Sequence, residues 1–144
     1  MPFSDAPKFG ISMFPTDKAI QPVELAQAAE ARGFDSLFFP EHTHIPAARQ
    51  TPFPGGGDLP EMYWRSHDPF VALGACAAAT QSIRLGTGIC LVIERDPITL
   101  AKEVASLDMI SNGRVILGIG AGWNREEMEN HGANYQNRWK IVRE

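Results

Sequence analysis

The stretch PEHTH, residues 40–44, sets one carboxylate and two imidazoles close together: Glu41, His42 and His44. Histidine exchanges a proton near neutral pH, and a carboxylate beside it orients the ring or balances its charge. General acid or base work by His42 with Glu41 is therefore one chemistry this grouping suits. The H-x-H spacing also permits a metal, since residues two apart on a strand face one way, with Glu41 in support. A metal needs further ligands at later strand ends, and those ends offer glycine, alanine and tryptophan.

Two other stretches, LGTGI at 85–89 and LGIGAGWN at 117–124, are notable for the side chains they lack. Gly88, Gly120 and Gly122 bare the main chain beside Ile89 and Ala121. A planar ring or a phosphate can approach such backbone, and its N–H groups can donate to anionic oxygens. Asn124 is placed to cap the next helix, adding partial positive charge. A Rossmann reading fails, because GIGAGW lacks the third glycine of G-x-G-x-x-G and follows the fourth strand where the motif follows the first. Arg95, in ERDP at 94–97, reads as one half of an exposed loop ion pair. His67 and His131 read as structural.

The elements that must position these groups alternate along the chain. Short apolar runs at 9–14, 36–42, 83–89 and 114–122 predict strands, and their lack of a polar face predicts a parallel sheet within an α/β fold. Pro22, Pro69 and Pro97 sit at first helical positions, Asp68 and Asp96 precede two of them as N-caps, and Gly33 and Asn112-Gly113 end two helices. Ile98, Leu100, Ala101, Val104, Ala105, Leu107 and Ile110 form a broad apolar stripe that predicts a helix packed on the sheet. Residues 43–66, rich in proline and containing Gly55-Gly56-Gly57, read as a lid loop that packs through Phe53, Tyr63 and Trp64. Four βα units followed by a stop suggest the first half of an eight-unit (β/α)8 TIM-type barrel, whose usual length is about 250 residues. The expected organisation is one such half barrel over 1–144.

Composition narrows the partners. With 144 residues, 44% hydrophobic and a net charge of −4, the chain suits one domain with its own core. Its basic residues form no run, so a nucleic-acid face and a polybasic membrane anchor are not expected, and a small-molecule substrate is. Cys76 and Cys90 form no CxxC pair and read as reduced core thiols, which predicts a cytoplasmic protein. Asp5, Lys8, Asp17 and Lys18 interrupt any apolar leader, and the run around 70–79 is too short to span a bilayer.

The segment RLGTGICLVIERDPITLAKEVASLDMISNGRVILGIGAGWNREEMENHG, with GFDSLFFPEH before it, resembles the luciferase-like monooxygenase superfamily, especially its deazaflavin-dependent oxidoreductases. The resemblance runs from Phe9 to Glu144 and covers the N-terminal half of the family's domain. It implies a (β/α)8 barrel that binds FMN or the deazaflavin coenzyme F-420 at its carboxyl face, with hydride or oxygen chemistry performed by that cofactor. It implies a non-proline cis peptide at Gly88-Ile89 backing the ring, cofactor contacts at Gly120, Ala121, Gly122 and Glu126, and His42 as a base or substrate-orienting group with Glu41 as its acidic neighbour. Trp123 stands where sugar-phosphate dehydrogenases of the family carry a catalytic acid, which argues against that substrate. A half barrel leaves sheet edges unpaired, so a second copy or a second polypeptide is expected to complete the cofactor site. A metal-dependent barrel hydrolase using His42 and His44, and a non-catalytic half-barrel subunit or fragment, are the alternatives.

Overall fold

Four short strands, β1 (Gly10–Ser12), β2 (Ser36–Phe39), β3 (Arg84–Leu91) and β4 (Val115–Gly120), lie side by side in that order, every pair parallel. This computed structural model describes residues 7–144, so Asp5 lies outside it. The crossovers are α1 (Pro22–Ala31), α3 (Pro69–Ala79) and α4 (Pro97–Ser111), each opened by the expected proline. Three shorter helices complete the set: α2 (Met62–Arg65), α5 (Arg125–Asn130) and α6 (Arg138–Ile141).

Helix ends follow the local chemistry of the sequence. The Asp68 carboxylate accepts the N–H groups of Phe70 at 2.9 Å and Val71 at 3.0 Å, and Asp96 accepts that of Thr99 at 2.8 Å. Each satisfies donors that the first helical turn leaves free. At the other end of α4, Asn112 adopts the left-handed conformation (φ 57°) and passes the turn to Gly113 (φ 78°).

The core lies between one face of the sheet and the helices. Leu37, Phe39, Leu85 and Cys90 meet Ala26 and Ala29 of α1, Leu73 and Cys76 of α3, and Leu100 and Leu107 of α4. Burial raises the Cys76 thiol to about 11 and the Cys90 thiol to about 12, the latter also under the charge of Glu41, so both are inert core thiols. At the foot of the sheet the buried Arg114 donates to the carbonyls of Ser111 (2.6 Å), Ile83 (2.8 Å), Ala77 (2.9 Å) and Thr80 (3.0 Å), and to the Thr80 hydroxyl (2.8 Å). One guanidinium thereby caps the ends of α3 and α4.

Two expectations need correction. The α4 stripe packs only in part: Leu100, Val104 and Leu107 meet the core, whereas Ile98 is 81% exposed and Ile110 58% exposed. α4 has α3 on one flank; on the other it borders a groove of about 880 Å³ lined by Ala101, Ala105, Leu117, Ile119 and Ile141. The second strand ends at Phe39, so residues 40–44 are loop and the alternation that would point His42 and His44 the same way does not apply to them. No helix among the described residues is long and apolar enough to cross a membrane.

Candidate active site

The carboxyl ends of β2, β3 and β4 and the 43–66 loop enclose a cavity of about 260 Å³. Its walls are Phe14, Pro40, Tyr63, Trp123, Ile89 and Leu91, with Gly88 and Gly122; His42 and Glu41 are the titratable residues that line it. From the 43–66 segment, Tyr63 packs on Phe14 (ring centroids 4.7 Å apart), His42 (5.1 Å) and Phe53 (5.2 Å). Trp64, by contrast, is half exposed.

His42 is held at both nitrogens. Its Nδ1 lies 2.7 Å from Oε2 of Glu127, and the indole N–H of Trp123 donates to its Nε2 at 3.3 Å. Indole is a donor only, so the hydrogen-bond network assigns the lone pair to Nε2 and the proton to Nδ1, facing Glu127. Glu127 is fully buried on α5, and its other oxygen accepts the Thr43 N–H at 2.8 Å. The acidic partner of His42 is therefore Glu127, not Glu41. A signal for it exists in the sequence: residues 126 and 127 follow the glycine mouth by about one helical turn, but nothing local says which of the two turns inward.

Glu41 serves a different structure. Its carboxylate accepts the Leu91 N–H at 2.7 Å and the Arg95 Nε–H at 2.8 Å, and Arg95 Nη2 also donates to it. Arg95 continues to Asp68 (2.5 Å) and Glu103 (3.0 Å) with its side chain only 13% exposed. The exposed loop pair expected for Arg95 is thus a largely buried hub, because Glu41 follows β2 into the interior. Burial works against the Arg95 charge, yet the facing carboxylates of Glu41 and Asp68 raise its affinity for the proton.

A third carboxyl, Glu94, lies buried beside Glu127, and one of its oxygens finds no donor. Burial first, and then the charges of Glu127 and Glu41, push it up to about 8. His131 stands 3.9 Å from it, with its Nε2 2.7 Å from the Thr43 hydroxyl. His131 therefore belongs to the rim of the site, with partners in Thr43 and Glu94 that its sequence neighbours do not indicate.

The glycine mouths divide. The Gly88-Ile89 peptide is cis, and both residues are exposed where a register shift between Thr87 and Cys90 bulges β3. Gly122 (φ 71°) lines the cavity, while Gly120 and Ala121 are buried. The space a side chain would take at Gly120 is occupied by the Ile89 side chain, and at Gly86 by the Phe38 ring, its neighbour across the β2–β3 register. These glycines are needed first for the protein's own packing. Asn124 occupies the N-cap position of α5 without a side-chain cap bond, so the expected cap is absent; its two polar atoms are buried and unpartnered. Glu126 does not line the cavity; it accepts the N–H groups of Gln50 and Thr51 at 3.2 Å each. No cluster of three or more histidine, cysteine or acidic side chains among the described residues is arranged to hold a metal ion, and His44 is engaged by Thr43 and Asn130.

Comparison with known proteins agrees with this architecture. An uncharacterized protein of Mycobacterium tuberculosis is 47% identical over 139 residues, which are 94% of this chain and 49% of that protein. Among solved structures, a monooxygenase from Streptomyces bottropensis superposes with a TM-score of 0.73 at 30% identity, over 92% of this chain and 39% of that one. The coenzyme F-420 dependent tetrahydromethanopterin reductase of Methanopyrus kandleri gives 0.62 at 27% identity, over 89% and 30%. The chain spans about half the length of the mycobacterial relatives it matches, and its four parallel strands correspond to part of a barrel of this kind. The sequence profile of the luciferase-like monooxygenases matches residues 11–144, and the chain belongs to that family.

Proposed function

We propose that this chain forms the substrate- and ring-binding part of an oxidoreductase that uses coenzyme F-420 or FMN on a small organic substrate. The observation that carries the reading is His42: an imidazole fixed at Nδ1 by a buried carboxylate, whose Nε2 lone pair accepts only the long 3.3 Å bond from Trp123, which a substrate can displace, in a cavity with aromatic walls beside exposed main chain. The residues present fit a planar ring. Gly88-Ile89 offers exposed backbone at the cavity, Gly122 lines it beside them, and Trp123, Tyr63 and Phe14 give it aromatic walls. The coenzyme, when bound, supplies hydride or oxygen chemistry.

The chain's own residues do the rest. His42 Nε2 takes or returns the substrate proton, Glu41 holds the β2 and β3 ends in register through Arg95 and Leu91, and Glu126 pins the lid. Gly120 and Ala121 shape the mouth from behind. The uncovered groove along α4 and β4 is where a second copy or a second polypeptide would complete the barrel.

The test is a fluorescence titration with coenzyme F-420 and, separately, FMN, on the chain alone and on a chimera in which it replaces the matched half of the M. tuberculosis relative. Saturable binding of one coenzyme, weakened about tenfold by Trp123→Ala, is the expected result. A folded chimera that binds neither coenzyme would overturn the proposal.

A further inference from the structure

His42 has an exit for its proton on the side away from the cavity. Its Nδ1 meets Glu127 Oε2 at 2.7 Å; Glu127 Oε1 lies 3.4 Å from the Thr43 hydroxyl; that hydroxyl lies 2.7 Å from Nε2 of His131. His42 and Glu127 have side chains only 6% and 1% exposed, whereas Thr43 and His131 are at the surface. The three contacts thus lead from a buried ring to water through one hydroxyl.

We propose that Glu127 is the positioning residue of His42 and that the chain His42, Glu127, Thr43, His131 conducts protons between the cavity and solvent. The inference rests on His42 as the group that takes the substrate proton. As Nε2 gains a proton, the Nδ1–H bond breaks and its proton moves to Oε2 of Glu127; the carboxyl then turns about its Cγ–Cδ bond so that the protonated oxygen faces Thr43 and passes that proton to the Thr43 oxygen, while the Thr43 hydroxyl proton moves to Nε2 of a neutral His131. His131 then releases its Nδ1 proton to water. The Glu127–Thr43 separation is long for an O–H···O bond and must close by a few tenths of an ångström during transfer.

Glu94 makes this route selective. It also approaches Thr43 (3.4 Å), but it holds its own proton at neutral pH because it is buried and faces the charge of Glu127. Glu127 is consequently the group beside Thr43 that is available to receive a proton from His42.

The experiment uses the chain without coenzyme, labelled with ¹⁵N-histidine, and reads the His42 ring by NMR. The wild type is expected to show the Nδ1–H tautomer and an Nδ1 proton that exchanges with water. Thr43→Val keeps the backbone N–H to Glu127, so the tautomer should persist while exchange slows about tenfold or more; Thr43→Ser should restore the wild-type rate. Glu127→Gln should likewise keep the tautomer and slow exchange, and Glu127→Leu should abolish the tautomer preference. A wild-type ring protonated at Nε2, or exchange unchanged in folded Thr43→Val and Glu127→Gln, would overturn the inference. Because no coenzyme is present, either result is independent of the titration that tests the proposed function.

Discussion

Arg95 and Glu41 form an ion pair inside the carboxyl end of the sheet, with the Arg95 Nε–H donating to the Glu41 carboxylate at 2.8 Å and side chains 13% and 2% exposed. Because Glu41 also accepts the Leu91 N–H, the pair joins the loop after β2 to the end of β3. Removing one charge strands the other in the interior. Arg95→Met is expected to cost about 3 kcal/mol, most of it the penalty of the orphaned Glu41. The double change Glu41→Leu with Arg95→Met should cost clearly less than the sum of the two single changes, read by urea denaturation. Strict additivity would show that the pair is not coupled.

Glu94 should make stability fall as pH rises. Its folded value of about 8 lies above the ordinary glutamate value of about 4.3, so between these limits the folded state binds more protons than the unfolded one. The stabilisation is complete below about pH 4.3 and is lost as pH rises through 8. Glu94→Gln preserves shape and removes the titration, so it should gain at least about 1 kcal/mol on the wild type between pH 5 and pH 8. Thermal unfolding of both proteins across that range measures the difference, and parallel curves would refute the assignment.

Much of this fold was legible because local chemistry decided it. Pro69 after Asp68, Pro97 after Asp96 and the Asn112-Gly113 pair act within one turn of helix, so their roles survive translation into three dimensions. Of the candidate site, the strand-end residues Gly88, Ile89 and Gly122 and His42 stood out in the sequence, and the structure brings them to one cavity. It was not legible in its pairings: Glu41 stands next to His42 in sequence but binds Arg95, 54 residues away, while Glu127 reaches His42 across 85. Those partners depend on where β2 stops and which face of α5 turns inward. The α4 stripe failed for a related reason, since periodicity reports an apolar face but not whether a neighbour covers it.

One carboxylate ties down the 43–66 loop at Gln50 and Thr51, and the release of that loop should be measurable. Burial works against the charge of Glu126, but hydrogen bonds from Thr51 and Gln50 hold it below the usual carboxylate range. Glu126→Ala frees those two N–H groups, at a cost of about 1 kcal/mol in local order. Tryptic cleavage after Arg49 should accelerate about fivefold or more under native conditions. Global stability, read by denaturant, should change by less than about 1 kcal/mol, because both amides remain free to bond with water. An unchanged cleavage rate would mean that the aromatic contacts of Tyr63 and Phe53 hold the lid alone.

The glycines of β4 allow a test of whether they serve packing or a ligand. A methyl group at Gly118 would overlap the carbonyl oxygen of Thr87, whose hydroxyl already donates to the Gly118 carbonyl at 2.8 Å. That oxygen belongs to the β3 backbone and cannot step aside, so Gly118→Ala is expected to cost about 3 kcal/mol or to prevent folding. At Gly120 the obstacle is only Cδ1 of Ile89, the far end of a flexible side chain that is itself 39% exposed. Gly120→Ala should therefore cost about 1 kcal/mol, and Ile89→Val, which removes that carbon, should recover most of the loss. Denaturation of the three variants orders them: Gly118→Ala worst, Gly120→Ala intermediate, and the double change near wild type. If the double change regains stability but loses coenzyme binding, the bare backbone at this mouth serves the ligand as well. If Ile89→Val fails to rescue Gly120→Ala, the close approach of Ile89 to β4 is not what selects glycine there.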